Sequence, residues 1–467
     1  MAVRIILAPT LPHGRDAAPH GYDRHRQDFF HYGNAADTRG PFPLLCNAVT
    51  PTIVLLLVGL DILLVGVGLL GTLLGVRAAL ESFGNAETGL IMTGYYVGYI
   101  LGTLLGPRIV RQVGHIRAFA TFAALAAASA LAFGLWIDSW AWLLLRILNG
   151  AAVVGVYMVV ESWLNAQTPG IRRGRVFAGY MLSTLAALAA GQFLLLTYHP
   201  QGLELFALAA LLLVLGLIPV AATRVSEPRI ELAATLHLSH LYRLSPLGAV
   251  GSFGAGAVSG AFWGMTAVFA QRIGMSAAEI ATLMSATILG GVMLQLPIGH
   301  FSDRHDRRTV LIVVSLCSAA AALLAAWLVY RELPGLVPVA FVYGGLMFSL
   351  YGLSVAHTND QIQADQVLAA TRGLLLLYGL GAVSGPLLGG LMMDRFGPLG
   401  LPVLSAVFLL LLAGFGLYRI TRRTAPATAD QGAFVPLVRT TPVALEMHPE
   451  AELEPELDLA GGKPDRV

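Results

Sequence analysis

The stretch Gly299-His300-Phe301-Ser302-Asp303-Arg304-His305-Asp306-Arg307-Arg308 decides the fold. An apolar run near 276–299 precedes it and another near 309–330 follows it. Each is long enough to cross the hydrocarbon core of a bilayer, which takes about 20 mostly apolar residues. The arginines and aspartates between them are too costly to enter that core. The decapeptide is therefore a polar loop joining two membrane spans, and its basic residues hold it in the cytoplasm. Within it, Gly299 is read as the point where two helices approach closely. Asp303, at a helix end, is placed to pair with arginine and to cap the free N–H groups of the next helix.

The whole chain has the same character. Of 467 residues, 56% are hydrophobic and 12% charged, against roughly 25% charged in a soluble domain. No soluble fold hides that much apolar surface. The 52 glycines suit helices that pack closely in lipid. A net charge of +2 gives no case for nucleic acid, and Cys46 and Cys317 are too far apart in sequence to suggest a disulfide framework or a metal site.

Working outward from the loop, the sequence predicts twelve spans. They lie near 52–77, 86–108, 116–137, 139–163, 175–198 and 202–222, then 246–271, 276–299, 309–330, 335–358, 370–393 and 398–420. The expected organisation is an N-terminal extension at 1–44, a six-helix bundle at 45–222, a cytoplasmic loop at 223–245, a second bundle at 246–420 and a tail at 421–467. The extension is read as disordered or as the product of an upstream start. Its His13, His20, His25 and His31 are irregularly spaced, and it lacks the apolar core of a signal peptide. The tail, with Glu446, Glu450, Glu452, Glu454, Glu456 and Asp458, is read as disordered and solvated. Arginines concentrate in alternate connections (Arg108, Arg111 and Arg117; Arg172, Arg173 and Arg175; Arg304, Arg307 and Arg308; Arg372), which places those connections and both termini in the cytoplasm.

The halves echo each other. Glu161 is followed at a fixed spacing by Arg173-Gly174, and Asp360 by Arg372-Gly373 at the same spacing. Matched positions in two six-helix halves point to an internally repeated transporter with its site between the halves.

With these features in view, Gly299–Arg308 resembles the cytoplasmic loop motif G-x-x-x-D-R-x-[GD]-R-R of the major facilitator superfamily. Arg146-Ile147-Leu148-Asn149-Gly150 resembles that family's R-x-x-x-G signature. The first-half loop, Gly106 to Arg117, departs from the pattern by carrying Arg111 where the acid belongs. A looser copy, Gly390 to Gly397, falls on the outer side. GAVSGPLLGG at 381–390 looks like an antiporter signature but lies in the eleventh span rather than the fifth, so it is read as tight helix packing. Within the superfamily, VVESWLNAQ at 159–167, RGRVFAGYM at 173–181 and SVAHTNDQ at 354–361 are similar to a bacterial YcaD-like branch. The resemblance implies an all-α membrane protein of two pseudo-symmetric six-helix bundles. It also implies that the first, fourth, seventh and tenth spans line a central cavity.

Asp61 lies about ten residues into the first span, and an acid at that depth needs a partner or a proton. Given the implied cavity, Asp61 and Arg146 are expected to pair, with Asn149 beside them, and protonation of Asp61 to free Arg146. Asp61 bonded to a neighbouring helix is the competing reading. The expected cytoplasmic gate sets Glu161 against Arg111, Arg117 or Arg173, and Asp360 against Arg304, Arg307 or Arg372, with Gly299, Asp303 and Arg308 in the loop. Tyr95, Tyr96, Tyr99, Gln192, Trp263 and Gln295 are candidate cavity residues. His357 is read either as a group titrating near neutral pH or as a structural hydrogen bond. No P-loop, nucleophile elbow or zinc spacing is present, so no cofactor is expected and an ion gradient is the expected energy source. The expected protein is a monomeric carrier in a bacterial inner membrane. Its partners would be protons, lipid and a small organic solute, with export by antiport favoured over uptake by symport. A sensor or scaffold that keeps the carrier fold is the alternative.

Overall fold

The structure, a computed structural model, describes residues 51–168, 173–222, 237–363, 366–422, 431, 432, 434 and 441, without side chains at 173–175. The extension at 1–44, most of the connection at 223–245 and the acidic stretch of the tail lie outside the described residues. Among those described there is no strand, and twelve helices are long and apolar enough to cross a membrane. They are α1 (Pro51–Leu80), α2 (Asn85–Val113), α3 (His115–Leu135), α4 (Ser139–Gln167), α5 (Arg173–Phe193) and α6 (Glu204–Ala221), then α7 (Pro246–Arg272), α8 (Ala277–Ser302), α9 (Arg307–Tyr330), α10 (Leu336–Asn359), α11 (Val367–Phe396) and α12 (Gly400–Ile420). A short helix, Leu238–Leu244, leads into α7.

Local chemistry sets the helix ends. Asp138 caps α4 by accepting from the Ala141 N–H, and Ser276 with Glu279 forms a capping box on α8. The α8–α9 loop differs from expectation, because Asp306 rather than Asp303 caps α9, accepting from the Arg308 N–H at 3.0 Å. Gly114, with φ of +85°, makes the sharp turn between α2 and α3. Large apolar side chains such as Leu144 and Leu411 are exposed, as lipid-facing positions require.

Paired glycines hold the helices together, and they repeat between the halves. On α2 and α4, Gly98 faces the Ile147 carbonyl and Gly150 faces the Tyr95 carbonyl, so closely that a Cβ would collide. On α8 and α10, Gly290 faces the Phe341 carbonyl and Gly344 faces that of Thr287. The same reciprocal arrangement joins α1 to α5 (Gly68 and Gly191) and α7 to α11 (Gly256 and Gly381). In lipid, helices associate largely through such close backbone packing. The result is two pseudo-symmetric six-helix bundles, α1–α6 and α7–α12.

The side carrying Arg108, Arg111, Arg117, Arg304, Arg307 and Arg308 is here called the basic side, and the opposite one the far side. The bundles meet on the far side. Asp394, at the end of α11, accepts from the Asn85 and Ala86 N–H groups at 3.1 and 2.9 Å, capping α2 from across the interface. Arg272, at the end of α7, donates to the Asn85 side chain and the Phe83 carbonyl. Gly89 on α2 packs against Pro386 on α11, and Gly75 on α1 against Ala267 on α7. The outer motif copy, Gly390 to Gly397, supplies the capping acid and thereby helps seal the far side.

Candidate functional site: a central cavity and a basic-side gate

A cavity lies between the bundles beneath this seal. It is lined from α1 (Val67, Gly68, Leu70, Gly71, Thr72), α2 (Met92, Tyr95, Tyr96), α4 (Arg146, Asn149), α5 (Leu188), α7 (Trp263, Gly264) and α8 (Met284). The expected lining by α10 is not found among the described residues; α2, α5 and α8 contribute instead. Arg146 is buried, its guanidinium 5.1 Å from the centre of the Tyr95 ring and donating to the Met92 sulfur at 3.3 Å. A cation against an aromatic face and a soft sulfur is held by weak, polarisable contacts. Asn149 donates to Ser129 Oγ at 2.8 Å.

The expected Asp61–Arg146 pair is not made. Asp61 sits about ten residues inside α1 from the basic side, roughly 15 Å at about 1.5 Å per residue. Arg146 sits about seven residues inside α4 from the far side, roughly 10 Å. They occupy different depths, so sharing a bundle does not bring them together. Ser183 on α5 is the polar neighbour of Asp61, and one carboxylate oxygen of Asp61 is buried with no hydrogen-bond partner among the described residues.

The other candidate cavity residues divide. Tyr95, Tyr96 and Trp263 line the cavity. Tyr99 is half-buried one turn away, its ring 6.4 Å from that of Tyr95. Gln192 is buried behind the wall, bonding the hydroxyl of the lining residue Thr72 and the Gly68 and Leu188 carbonyls. Gln295 bonds the Phe348 carbonyl at 3.1 Å within the second bundle. His357 is buried at the basic end of α10 and bonds Gln361 at 2.9 Å, which fits the structural reading of that residue.

At the basic side several residues of the expected second-half gate form an ion-paired cluster. Arg307, 1% exposed, pairs with Asp303 and with Asp360, each at 3.1 Å. Arg308 pairs with Asp306 at 2.9 Å. Asp306 lies outside the spans. Burial opposes its charge, but hydrogen bonds from the Arg308 side chain and backbone outweigh this and hold its carboxyl below the usual range. Arg304 is exposed, and Arg372 is buried at the start of α11.

The first half differs. Glu161 is fully buried and accepts from the Tyr180 hydroxyl at 2.6 Å. Arg111 and Arg117 are exposed and do not meet it; Arg111 reaches only the Pro107 carbonyl, at 3.3 Å. The Arg173 side chain lies outside the described residues. The second donor to Glu161 is Thr441 of the tail, through its N–H at 3.1 Å and its hydroxyl. Sequence reasoning missed this and also the other tail contacts. The Gly432 N–H donates to Asp360 at 3.1 Å and the Phe434 N–H to Asp303 at 2.9 Å, while the Phe434 ring covers Gly299. So Gly299 admits a tail phenylalanine rather than a second helix, and these tail residues are packed rather than solvated.

The Major Facilitator Superfamily model matches residues 55–245 and 248–450. This chain belongs to the Major Facilitator Superfamily. It is 28% identical over 388 residues to the "Uncharacterized MFS-type transporter YcaD" of Escherichia fergusonii, covering 81% of this chain and 98% of the relative. The Escherichia coli K12 protein of that description is 28% identical over 356 residues, 75% of this chain and 91% of the relative. Among solved structures, the nucleoside transporter NupG aligns with TM-score 0.64 at 14% identity, covering 80% of this chain and 100% of that one. A bacterial homologue of the lysosomal transporter Spinster aligns with TM-score 0.64 at 16% identity, covering 81% and 100%. These likenesses establish the fold. As a superfamily member with twelve apolar helices, the chain is a multi-pass membrane transporter.

Proposed function

We propose that this superfamily member is a secondary carrier, coupled to protons, that moves a small organic solute by alternating access. The observation that carries the reading is the cavity between the bundles, sealed on the far side by Asp394, Asn85 and Arg272. A site between repeated halves, closed to one side, is what rocking of the bundles requires. The arginine asymmetry supports a cytoplasmic basic side in a bacterial inner membrane. The Tyr95, Tyr96 and Trp263 lining suits an amphipathic solute, with Arg146 and Asn149 as its polar contacts. A solute of that kind enters a bilayer unaided, so outward movement is the direction that needs a carrier, and antiport against protons is favoured. Asp61, with an unsatisfied oxygen inside the span, is the proposed proton carrier, acting at a different depth from Arg146.

The test uses purified protein in liposomes under a pH gradient with a trapped pH dye and a panel of amphipathic solutes. Solute-dependent proton flux is expected, and Asp61→Asn should abolish it while leaving the melting temperature intact. Undiminished flux in Asp61→Asn removes that residue from coupling. Solutes that raise the melting temperature without driving any flux would favour a sensor that keeps the carrier fold.

A further inference from the structure

A second cavity lies inside the second bundle, walled by α7, α8, α9, α10 and α12. Its volume is about 550 Å³, against about 490 Å³ for the central cavity, so it is more than a packing defect of one missing methyl group. It reaches from the far-side starts of α10 and α12, at Leu336 and Leu401, to Phe262, about ten residues or roughly 15 Å inside α7. Small side chains keep it open. In the run Ala-Ala-Leu-Leu-Ala-Ala at 321–326 of α9, Leu323 and Leu324 turn outward to lipid, each 44% exposed, while Ala322 and Ala325 face the space. Ala340 faces it from α10. No charged side chain lines it among the described residues. Two of its hydroxyls are turned to their own helices, Thr287 donating to the Leu283 carbonyl at 2.8 Å and Ser405 to the Leu401 carbonyl at 3.2 Å. The two cavities stand back to back. Phe262 faces the second and its neighbour Trp263 the central one, their rings 5.0 Å apart and edge to face. Phe348 of α10 lies against both, at 5.8 and 6.0 Å. On α8, Leu283 and Met284 divide between the cavities in the same way.

We propose that this space is a second binding site, for an uncharged apolar molecule of the size of a substituted benzene, and that its occupancy is felt at the central cavity through Phe262 and Trp263. The lining selects against charge, because an ion leaving water for an apolar wall without a partner pays a heavy desolvation cost. An apolar guest meets no such cost, and apolar cavities in protein interiors stay dry and take up aromatic molecules. Phe262 and Phe269 offer it ring edges and faces. The coupling follows from the shared wall. Edge-to-face rings hold a preferred geometry, so a guest packed on Phe262 favours some positions of the Trp263 ring over others. A ligand that distinguishes two arrangements of a shared element couples the sites on either side of it. The second site lies within one bundle, so rocking of the bundles does not dismantle it. Two sources supply the required chemistry: a free apolar molecule, and an acyl chain of the surrounding lipid.

The experiment needs neither cargo nor gradient, so it fails or succeeds separately from the transport reading. Melting of the full chain is followed at rising concentrations of p-xylene, in phosphatidylcholine nanodiscs and in a steroid-based detergent that has no acyl chain. The midpoint should rise with the logarithm of p-xylene concentration, as binding to the folded state requires. In Ala322→Leu, and separately in Ala340→Leu, the added side chain occupies the space, and the rise should be lost. Effects of p-xylene on the bilayer or micelle are common to parent and variants and cancel in the difference. Two variants on different helices keep the test decisive if one folds poorly. A rise in both media identifies a free molecule as the ligand. A rise in detergent alone identifies an acyl chain, which holds the site when lipid is present. An equal response in the parent and both variants, or no response in either medium, overturns the site. The coupling is read from tryptophan emission. The change that p-xylene induces in the parent should shrink on Trp263→Phe, and should shrink as much on Ala322→Leu. The same change with and without Trp263 overturns the coupling.

Discussion

The loops that follow α2 and α8 occupy equivalent places in the two bundles and are built differently. After α8, Arg307 is buried between Asp303 and Asp360, and Arg308 is clasped by Asp306. After α2, Arg111 stands where the acid of the pattern belongs, exposed and reaching only a backbone carbonyl one turn away. That turn is held instead by His115, buried, bonded to Ser162 at 3.1 Å and lying against Trp163. The acid matching Asp360 is Glu161, whose donors include a tyrosine of α5 and a threonine of the tail. The glycine pairs that set helix packing are repeated almost residue for residue between the halves, yet the contacts of the two loops are not. A repeated scaffold fixes where two acids sit and leaves open which partners satisfy them.

The comparison is broken most directly at its arginines. Arg307→Ala takes the 3.1 Å ion pair from Asp360, a carboxylate only 3% exposed. Losing one partner of a buried pair costs about 3–5 kcal/mol, and the melting temperature should fall steeply. Arg111→Ala should stay within about 0.5 kcal/mol, as an exposed substitution does. Equal effects at the two positions would mean that the loops share a network after all. A middle-sized effect is expected at Glu161→Gln. The amide can still accept the Tyr180 hydroxyl, but one oxygen becomes a donor facing donors, at a cost of about 1–3 kcal/mol. Combined with Thr441→Val, the loss should be smaller than the sum, because each single change already breaks the shared contact. Additive melting shifts would show that the tail does not serve Glu161.

Much of this was readable in advance, for definable reasons. Spans and loops follow from apolar length, so Gly299–Arg308 straddles the junction of α8 and α9, although both helices run into it and leave only residues 303–306 between them, and Arg307 reaches Asp360. The cap on α9 was also legible, since Asp306 stands one turn ahead of the apolar run that begins at Val310, a usual N-cap signal, although Asp303 was assigned the role. What the sequence hides is rotation and depth across helices. Hydropathy places Asp61 and Arg146 in spans but not at a common level, and it does not tell which residues of a helix face the cavity, so Tyr95, Tyr96 and Trp263 line it while α5 and α8 present Leu188 and Met284 rather than Gln192 and Gln295. The tail was missed for a different reason. Phe434 and Thr441 lie in a stretch rich in proline, alanine and threonine with no helical period, and their binding rests on main-chain N–H groups that every sequence carries.

The smallest expected effect sharpens the comparison at Asp306, for which the first-half loop has no acid in its pattern. Asn caps a helix about as well as Asp, so Asp306→Asn keeps the cap and removes the ion pair with Arg308. The pair is partly solvated, with 28% of the Asp306 side chain exposed, so the loss at neutral pH should be about 1 kcal/mol or less. Because the folded carboxyl is held below its ordinary value of 3.8, its contribution is complete above that pH and is lost as pH falls through the lower folded value. The melting gap between parent and Asp306→Asn should therefore be constant from pH 7 to about 5 and close progressively below about 4. Other acids titrate in both proteins and cancel in the difference. A gap that is unchanged or widens on acidification would mean that Asp306 acts through its shape as a cap and not through its charge, and the second-half loop would then owe its charged bonding to Arg307 alone.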